Sequence, residues 1–424
     1  MSLADAQRHN AFLKVFDPPL CEVHEGPLTG IRASVKDNVS LAGYPTTGAS
    51  PACAQVTLPE NKSVTRLKAA GASIVGKTNL HELAFGITGA NAHTGDTLNA
   101  VDSRYLAGGS SAGAAVVVAL DACDVAIGTD TGGSCRIPAA HNGIVGYRPS
   151  IDRYDGGGIL TLSKTRDTLG LLAKDIATLA QVDAVMVDTA LALTPSTPGD
   201  VTLGIVAPTT FFPIVDPHVI AAYEAALAAL KTAGFNVQNV DLALAMEAHD
   251  ACGFAIAVYE TAEAMAALAQ SQLGQSLADF ASHIASDDVR GLIEMQIDEG
   301  AVPKAAYDEA ISVHLPKLRQ VFADALSRVD VLVYPTTPVG PVLQGTGELM
   351  DVGAESVPVF PATTAMSGPD STAGQPSITL PCGTAGGLPV GLMLVGAIGQ
   401  DEALINIAAA AEAILNNNKE TFPS

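Results

Sequence analysis

The sequence predicts an α/β fold, a single large domain in which a mixed β-sheet lies between layers of α-helices. Short apolar runs that suit buried strands, such as residues 124–128, alternate with longer helical patterns, such as residues 112–120. With 48% hydrophobic residues, the chain can bury a large core. No tandem repeat or low-complexity linker divides the 424 residues, so one domain is the simplest interpretation.

The first half of the chain predicts short elements that lead up to two serines set among glycines. Gly71 ends one helical pattern as a C-cap, and the Pro18-Pro19 pair ends another. The predicted elements are a helix within residues 5–15, a hairpin and strand in residues 26–39, a helix in residues 62–70, a strand in residues 73–75, a helix in residues 112–120 and a strand in residues 124–128.

The second half is predicted to be helical in its middle and to return to strands near its end. Asp216 as N-cap and Pro217 at the first helical position open one of its helices. The predicted elements are a helix in residues 176–187, a surface loop in residues 193–200, a strand in residues 201–206, a helix in residues 216–231, alanine-rich helices in residues 241–330, an extended loop in residues 340–375, strands in residues 377–380 and 392–395 and a helix in residues 401–414.

Charge and cysteine usage exclude several function classes. The chain has 44 acidic and 22 basic side chains, a net charge of −22, so without a basic run it repels nucleic acid and anionic lipid. Six scattered cysteines without C-x-x-C spacing argue against a zinc site or a disulfide framework. They favour a reducing cytoplasm. No apolar run reaches the roughly 18 residues of a membrane span, and the polar residues 5–10 lack the apolar core of a secretion signal, so we predict a cytoplasmic location without membrane contact.

Two serines and one lysine are the candidate catalytic residues. Ser110 lies in Ala-Gly-Gly-Ser-Ser-Ala-Gly, and Ser134 lies in Gly-Thr-Asp-Thr-Gly-Gly-Ser. Glycines permit tight turns and leave backbone N–H groups free to stabilise an oxyanion, which a catalytic serine requires. A serine also requires a base. Lys36 follows an apolar run that predicts a buried strand, and burial favours the neutral form of lysine that accepts a proton.

These residues resemble the amidase signature family. The resemblance rests on Lys36 in Val-Lys-Asp-Asn, on Ser110 in Gly-Gly-Ser-Ser-Ala-Gly, and on Ser134 followed by Arg136 and Pro138. Residues 79–86, 330–338 and 387–391 resemble further motifs of the family, so the match covers nearly the whole chain. The family hydrolyses C–N bonds of amides with a Ser–cis-Ser–Lys triad, which implies an amidase that needs no cofactor and no metal.

The resemblance implies a role for each residue. Ser134 would be the nucleophile, Ser110 the bridging serine at a cis peptide bond, and Lys36 the base that draws the proton through Ser110. An oxyanion hole would be formed by the backbone N–H groups of Thr131, Gly132, Gly133 and Ser134. Asp130 and Arg136 would support the site as an internal charge pair, and Ser111 would support it as a second donor or by packing.

The resemblance also predicts how one amidase-signature domain, residues 1–424, is organised. A catalytic core would occupy about residues 25–190 and 325–424, and a helical insertion that shapes the substrate pocket would occupy about residues 210–325. Lys36 lies nearer the start of the chain than is usual in this family, which implies shorter N-terminal helices. We therefore leave open whether the chain forms a homodimer like that of other members. His141 and Asn142 replace apolar residues or cysteine, which makes the wall behind the site more polar.

Three other interpretations of the motifs are less favoured. Residues 71–78 fit the phosphate-binding pattern G-x-x-x-x-G-K-[ST], but that loop must follow a strand, and here a helix precedes it. Residues 109–113 fit the hydrolase pattern G-x-S-x-G around Ser111, which requires a downstream acid and histidine that no segment clearly provides. Cys135 is a rival thiol nucleophile, but the register of the motifs favours Ser134, and Cys135 is read as a small hydrophobe.

The resemblance favours a substrate of the aryl-acetamide type, because residues 130–168 are most similar to the branch that contains indoleacetamide and mandelamide hydrolases. Only 4% of residues are aromatic and none is tryptophan, so a small aliphatic or urea-derived (carbamoyl) amide stays open. The alternative from another function class is the amidase subunit of a tRNA-dependent amidotransferase. The lack of a basic face, which tRNA would require, disfavours it. A non-catalytic binding protein on this fold is disfavoured because all three triad residues are present.

Overall fold

A mixed sheet flanked by helices forms the centre of the protein, as the sequence predicted. The computed structural model describes residues 3–23, 25–298 and 300–417. Eleven strands form one sheet in the order β1-β3-β2-β4-β6-β5-β12-β13-β9-β7-β8, and β10 pairs with β11. The strands are β1 Phe12–Leu20, β2 Arg32–Lys36, β3 Ser73–Thr78, β4 Val125–Asp130, β5 Val145–Arg148, β6 Thr168–Ala173, β7 Thr202–Ile205, β8 Asn236–Asn239, β9 Val331–Pro335, β10 Leu349–Val352, β11 Glu355–Pro358, β12 Ser377–Ala385 and β13 Leu388–Val395.

Helices cover the sheet and fill the middle of the chain. The α-helices are α1 Leu3–Arg8, α2 Lys62–Ala69, α3 Ala112–Ala119, α4 Arg136–Asn142, α5 Ile176–Met186, α6 Pro217–Thr232, α7 Ala243–Leu268, α8 Leu277–Ser282, α9 Asp287–Met295, α10 Lys304–Glu309, α11 Leu315–Leu326, α12 Val359–Thr364, α13 Gly368–Ala373 and α14 Asp401–Asn417.

Local capping explains several helix boundaries. The side chain of Asn61 accepts hydrogen bonds from the N–H groups of Ser63 and Val64 at the start of α2. Gly71, just after the end of α2, has a φ of +92°, a backbone conformation that glycine adopts readily. The side chain of Asp216 accepts from the N–H of His218 at the start of α6. These three helix ends are those that the sequence predicted.

The sheet brings the ends of β2 and β4 to one edge. Both strands are parallel neighbours, with Ala33 opposite Val125 and Val35 opposite Ile127. Lys36 is the last residue of β2, and Asp130 is the last residue of β4. Every residue of β4 is buried. The carboxyl ends of parallel strands in open sheets are where ligands commonly bind, so this edge is the place to look for a site.

The structure corrects two predictions for the N-terminal segments. Residues 12–20 form strand β1 rather than the end of a helix, because pairing with β3 at the edge of the sheet decides the conformation. Pro18 is accommodated there, since an edge strand does not need every N–H group for pairing. Residues 26–39 do not form a hairpin: β2 runs parallel to both of its neighbours, β3 and β4.

Two predictions for the second half are also corrected. Residues 340–375 are not one extended loop, since they contain the β10–β11 hairpin and the helices α12 and α13. The predicted helical insertion, residues 210–325, also contains β8, which pairs parallel to β7 and so belongs to the main sheet. The functional division of the chain into a catalytic core and a pocket-shaping insertion stays a prediction.

One helical segment has the length and composition of a membrane span. Residues Ala243–Leu273 comprise α7 and the π-turn that follows it, with a mean hydropathy of 1.3. Core helices of soluble proteins pass the same test, so this segment is weak evidence for a membrane location. The predicted cytoplasmic location, the absence of membrane contact and the homodimer stay predictions.

Candidate active site

Lys36 lies buried at the end of β2 and contacts two hydroxyl groups. Its Nζ is 2.7 Å from Ser110 Oγ and 2.8 Å from Thr129 Oγ1. The amide of Asn38 donates to the same Thr129 oxygen at 3.0 Å. Burial lowers the pKa of Lys36 to about 7, although the negative groups around it oppose this. The lysine is therefore held in a setting where its neutral form is accessible near neutral pH.

Ser110 is fixed by the backbone around it. The peptide bond between Gly109 and Ser110 is cis. The Ser110 carbonyl accepts from the N–H of His81 at 3.1 Å. A Cβ atom on Gly109 would lie 2.9 Å from the backbone nitrogen of Gly89, so only glycine fits at that position. The sequence thus places a fully buried hydroxyl at a defined point beside Lys36.

Ser134 lies in the loop between β4 and α4. Its carbonyl accepts from the N–H of Ser111 at 3.1 Å, which joins the two serine-bearing segments. Gly133 has a φ of +117°, and a Cβ atom there would lie 2.2 Å from Ser367 Oγ. Ser134 is 6% exposed, whereas Ser110 and Lys36 have no exposed surface. Of these three residues, Ser134 alone can be reached from outside.

Asp130 organises the loop that carries Ser134. Its Oδ1 accepts from the N–H of Gly133 at 2.8 Å, and its Oδ2 accepts from the N–H of Cys135 at 3.0 Å. Arg136 donates to both oxygens, at 2.9 and 3.0 Å. Burial alone would raise the pKa of Asp130, but the guanidinium groups of Arg136 and Arg148 outweigh it and hold the pKa well below its usual range. Asp130 and Arg136, the charge pair expected from the sequence, are in direct contact.

One predicted oxyanion donor is already occupied. Because the N–H of Gly133 donates to Asp130, it is not free to donate to a substrate oxygen in this structure. The N–H groups of Thr131, Gly132 and Ser134 donate to no group among residues 3–23, 25–298 and 300–417. Three of the four expected donors thus have an N–H group without an acceptor among the described residues, and the oxyanion hole stays a prediction.

The rival nucleophiles are poorly placed. Ser111 Oγ donates to the carbonyl of Thr129 at 3.2 Å, so its hydroxyl is turned into the protein. Cys135 is fully buried, and burial raises the pKa of its thiol to about 12, far from the thiolate form. His141 is also buried, which lowers its pKa to about 4. In the described part of the chain, the Nδ1 of His141 has no hydrogen-bond partner.

The structure argues against a phosphate-binding loop in residues 71–78, as the sequence does. Residues Ser73–Thr78 form strand β3 rather than a loop. The Lys77 ammonium is buried and pairs with Asp37 at 2.6 Å. It also donates to the carbonyl of Pro45 at 2.7 Å. This lysine is committed to the protein and is not available to a phosphate.

Sequence reasoning missed several residues that hold the site together. Thr129 lies within the motif of Ser134 and Asn38 within the motif of Lys36, but the spacing of these motifs gives neither residue a role. Arg136 Nη1 donates to Asp370 at 2.5 Å, in a segment predicted to be a loop. Arg148 Nη2 donates to the carbonyl of Arg166 at 2.8 Å. No local signal could have linked residues so far apart in the chain. Among the described residues, no group of three or more His, Cys, Asp or Glu is placed to hold a metal ion.

Comparisons with known proteins show which family the chain belongs to. A family model described as Amidase matches residues 17–405. Mandelamide hydrolase from Pseudomonas putida is 33% identical, covering 98% of this chain and 83% of that protein. Indoleacetamide hydrolase from Agrobacterium vitis is 33% identical, covering 92% of this chain and 84% of that protein. A solved structure described as an amidase superposes with a TM-score of 0.84 at 30% identity, covering 97% of this chain and 94% of that one. The chain therefore belongs to the amidase signature family and is an amidase, a hydrolase of amides.

Proposed function

We propose that this amidase cleaves a small primary carboxamide to a carboxylate and ammonia through an acyl-enzyme on Ser134. The single observation that carries the proposal is the buried contact between Lys36 and Ser110, with Ser134 as the accessible residue beside it. A buried lysine with a pKa of about 7 is a competent base near neutral pH. A hydroxyl in contact with that base can relay a proton from a serine that faces the substrate.

In the first half of the reaction, Ser134 Oγ attacks the amide carbonyl while its proton passes to Ser110 and the proton of Ser110 passes to Lys36. The N–H groups of Thr131, Gly132 and Ser134 stabilise the oxyanion. Removal of one such donor typically costs about 10²–10³-fold in rate, so the loop geometry matters as much as the side chains. The C–N bond then breaks, and the proton held by Lys36 returns through Ser110 to the leaving nitrogen, which departs as ammonia.

In the second half, water attacks the ester carbonyl of the acyl-enzyme. The same relay takes a proton from the water and returns it to Ser134 Oγ as the C–O bond breaks. The balance is one amide and one water converted to one carboxylic acid and one ammonia. Every proton transfer in this scheme uses groups of the chain itself, and the scheme involves no cofactor.

We further propose an aryl-acetamide type of substrate. Support comes from the relatives named mandelamide hydrolase and indoleacetamide hydrolase, each 33% identical over more than nine-tenths of this chain. The low aromatic content keeps a small aliphatic or urea-derived amide as the alternative within the same reaction.

The test is ammonia release from a panel of primary amides: phenylacetamide, indoleacetamide, mandelamide, glutamine, malonamate and biuret. Ser134→Ala and Lys36→Ala are assayed beside the parent, and we expect each to lose at least about 10³-fold in kcat. Ser111→Ala and Cys135→Ala are the matched controls, because each removes a neighbouring nucleophilic group. We expect both controls to keep activity within about tenfold of the parent.

The outcomes separate the alternatives. Activity that survives Ser134→Ala but is lost in Ser111→Ala or Cys135→Ala would contradict the proposed nucleophile. Activity on glutamine that appears only with a partner subunit would point to the amidotransferase class instead. Failure of Ser134 to be phosphonylated by a fluorophosphonate, with loss of fluoride, would point to a non-catalytic protein.

A further inference from the structure

The β10–β11 hairpin has no polar attachment to the body of the protein. Its strands pair with each other, with Met350 opposite Val357, and take no part in the main sheet. Within the described residues, the hydrogen bonds of residues 345–357 end on that segment itself or on the flanking residues Leu343 and Val359. An element held in this way opens at a lower free-energy cost than a strand of the main sheet does.

One face of the hairpin is apolar and packs inward. Alternate residues of a strand share a face, so Met350 and Val352 point to the same side, together with Val357 across the pair. Val352 and Val357 are buried, whereas Leu349 on the opposite face is 57% exposed. Met350 packs against two small apolar clusters, and these join the hairpin to the rest of the protein.

The first of these clusters borders both proposed catalytic serines. It consists of Ile87, Leu106, Ile137, Val342 and Val359. Ile137 comes three residues after Ser134, and its Cδ1 would lie 2.7 Å from a Cβ atom built on Gly133. The backbone carbonyl carbon of Ile87 would lie 3.1 Å from a Cβ atom built on Gly109, the residue before the bridging serine. The cluster therefore reaches the backbone beside each serine.

The structure leaves little space beside the nucleophile. Ser134 is 6% exposed and Val359 is 7% exposed, so the acyl group of an amide that Ser134 attacks fits only if part of the cluster moves. Leu106 is fixed, because its N–H donates to the carbonyl of Val342 at 2.8 Å. Met350 lies on the hairpin and Val359 directly follows it, so these two side chains move when the hairpin moves.

We propose that the β10–β11 hairpin is a movable apolar wall of the substrate pocket, and that Met350 and Val359 select the acyl group by its size. The inference rests on the proposed amidase reaction and gives its substrate an uncharged, apolar acyl group. The hairpin opens to admit the amide and closes on the acyl group, which excludes water from the acyl-enzyme site. Aliphatic side chains bind an aryl group by burying its apolar surface, so the pocket needs no aromatic residue.

The first test measures the kcat/KM of indoleacetamide relative to that of phenylacetamide, two amides that differ mainly in the size of the aryl group. Val359→Ala and Met350→Ala should each raise this ratio about tenfold, and Val359→Leu should lower it about tenfold, the effect of a methylene group in a hydrophobic pocket. If the parent cleaves only aliphatic amides, the ratio is taken between hexanamide and propanamide.

Phe360→Ala and Leu349→Ala are the matched controls for these variants. Each removes an exposed apolar side chain directly beside a tested position. Both controls should leave the ratio within about twofold of the parent, because neither side chain faces the cluster. Opposite shifts in Val359→Ala and Val359→Leu are the signature of a pocket wall, since a general loss of stability would not change direction with side-chain size.

The second test uses the parent protein, so it does not depend on the folding of a variant. Ser134 is phosphonylated, with loss of fluoride, by a fluorophosphonate that carries a benzyl group, and the hydrogen exchange of backbone amides is measured before and after. We expect exchange in residues 345–357 to slow at least about fivefold, because the benzyl group packs against the inner face of the hairpin. Strand β8, also exposed but at the far edge of the main sheet, is the control segment and should change by less than about twofold.

The results distinguish this inference from the proposed function. If the size ratios of Val359→Ala and Met350→Ala match those of their controls while activity still depends on Ser134, the inference alone is overturned. Unchanged exchange in residues 345–357 after phosphonylation, or a parent enzyme that prefers malonamate to phenylacetamide, would also overturn it alone. No activity on any amide, together with no reaction of Ser134 with the fluorophosphonate, would contradict the proposed amidase reaction, and the inference with it.

Discussion

The Nζ of Lys36 lies 2.8 Å from Thr129 Oγ1, so the lysine at the end of β2 is held by the strand beside it. Thr129 directly precedes Asp130, whose carboxylate holds the loop of Ser134. The two ends of the proposed proton relay, the base and the nucleophile, are thus positioned by consecutive residues of β4. A substitution at Thr129 should therefore change the pKa of Lys36.

We predict that Thr129→Val lowers kcat about tenfold and moves the acid limb of the pH profile to lower pH. Valine keeps the shape of threonine but loses the oxygen that Lys36 contacts, and a hydrogen bond to the charged form of lysine favours that form. The measurement is kcat and kcat/KM from pH 5.5 to 9. Thr168→Val is the control, because the Thr168 hydroxyl is also buried but bonds to the carbonyl of Leu169. An unchanged profile in Thr129→Val would show that the contact does not tune the lysine.

In the parent enzyme we predict that kcat/KM rises with pH and levels off, with a midpoint near pH 7. Lys36 must be neutral to accept a proton, and burial lowers its pKa to about 7, so the active form gains population as pH increases through that value. His141, with a pKa of about 4, does not titrate in this range. A rate that is flat between pH 5.5 and 8.5 on a neutral amide, with the protein folded throughout, would exclude Lys36 as the base.

The three proposed catalytic residues were found from the sequence because their signals are local. A serine flanked by glycines, and a lysine at the end of an apolar run, can each be recognised within fewer than about ten residues. The same holds for the helix C-cap at Gly71 and the N-cap at Asp216. Local chemistry of this kind does not depend on where the rest of the chain goes.

The residues that were missed depend on tertiary contacts. Asp370 reaches Arg136 from a helix in a segment predicted to be a loop, and Arg166 reaches the backbone of Thr131 from a separate strand connection. Residues 12–20 likewise became a strand because β3 was available to pair with them. Propensity is overridden in such cases by packing against partners that a single sequence does not reveal.

We predict that Lys36→Met raises the melting temperature at pH 7, and that the gain shrinks as pH increases toward 10. The ordinary pKa of lysine is 10.5, and burial lowers that of Lys36 to about 7. Between these values the unfolded chain binds more protons than the folded one, so the stability of the parent increases with pH there while that of the variant does not. Replacing Lys36 removes the free-energy cost of burying its ammonium group, which is on the order of a few kcal/mol. The gain is offset in part because Ser110 and Thr129 lose their hydrogen-bond partner. A gap in melting temperature that is independent of pH would contradict the lowered pKa.

We predict that Arg136→Met lowers the free energy of unfolding by about 3–5 kcal/mol, the usual cost of breaking a buried pair by removing one partner. Arg136 is fully buried between Asp130 and Asp370, and methionine fills much of its volume without its charge. Urea unfolding at pH 7 measures the loss. Lys304→Met is the control, because Lys304 pairs with Asp308 at 2.6 Å on the surface, and such exposed pairs contribute little.

The pH dependence of that loss identifies its cause. Burial already raises the pKa of Asp370 while Arg136 opposes this, so without Arg136 the pKa of Asp370 should rise further. The pKa of Asp130 should also rise from its lowered value, although Arg148 still opposes this. Carboxylates whose folded pKa is raised are tolerated when protonated, so the deficit of Arg136→Met should be smaller at pH 5 than at pH 8. Asp370→Asn, which removes one of the two carboxylates, provides the measurement if Arg136→Met does not fold, and its loss should be smaller. A deficit in Arg136→Met equal to that of Lys304→Met would mean that the buried charges do not hold the loop of Ser134 in place.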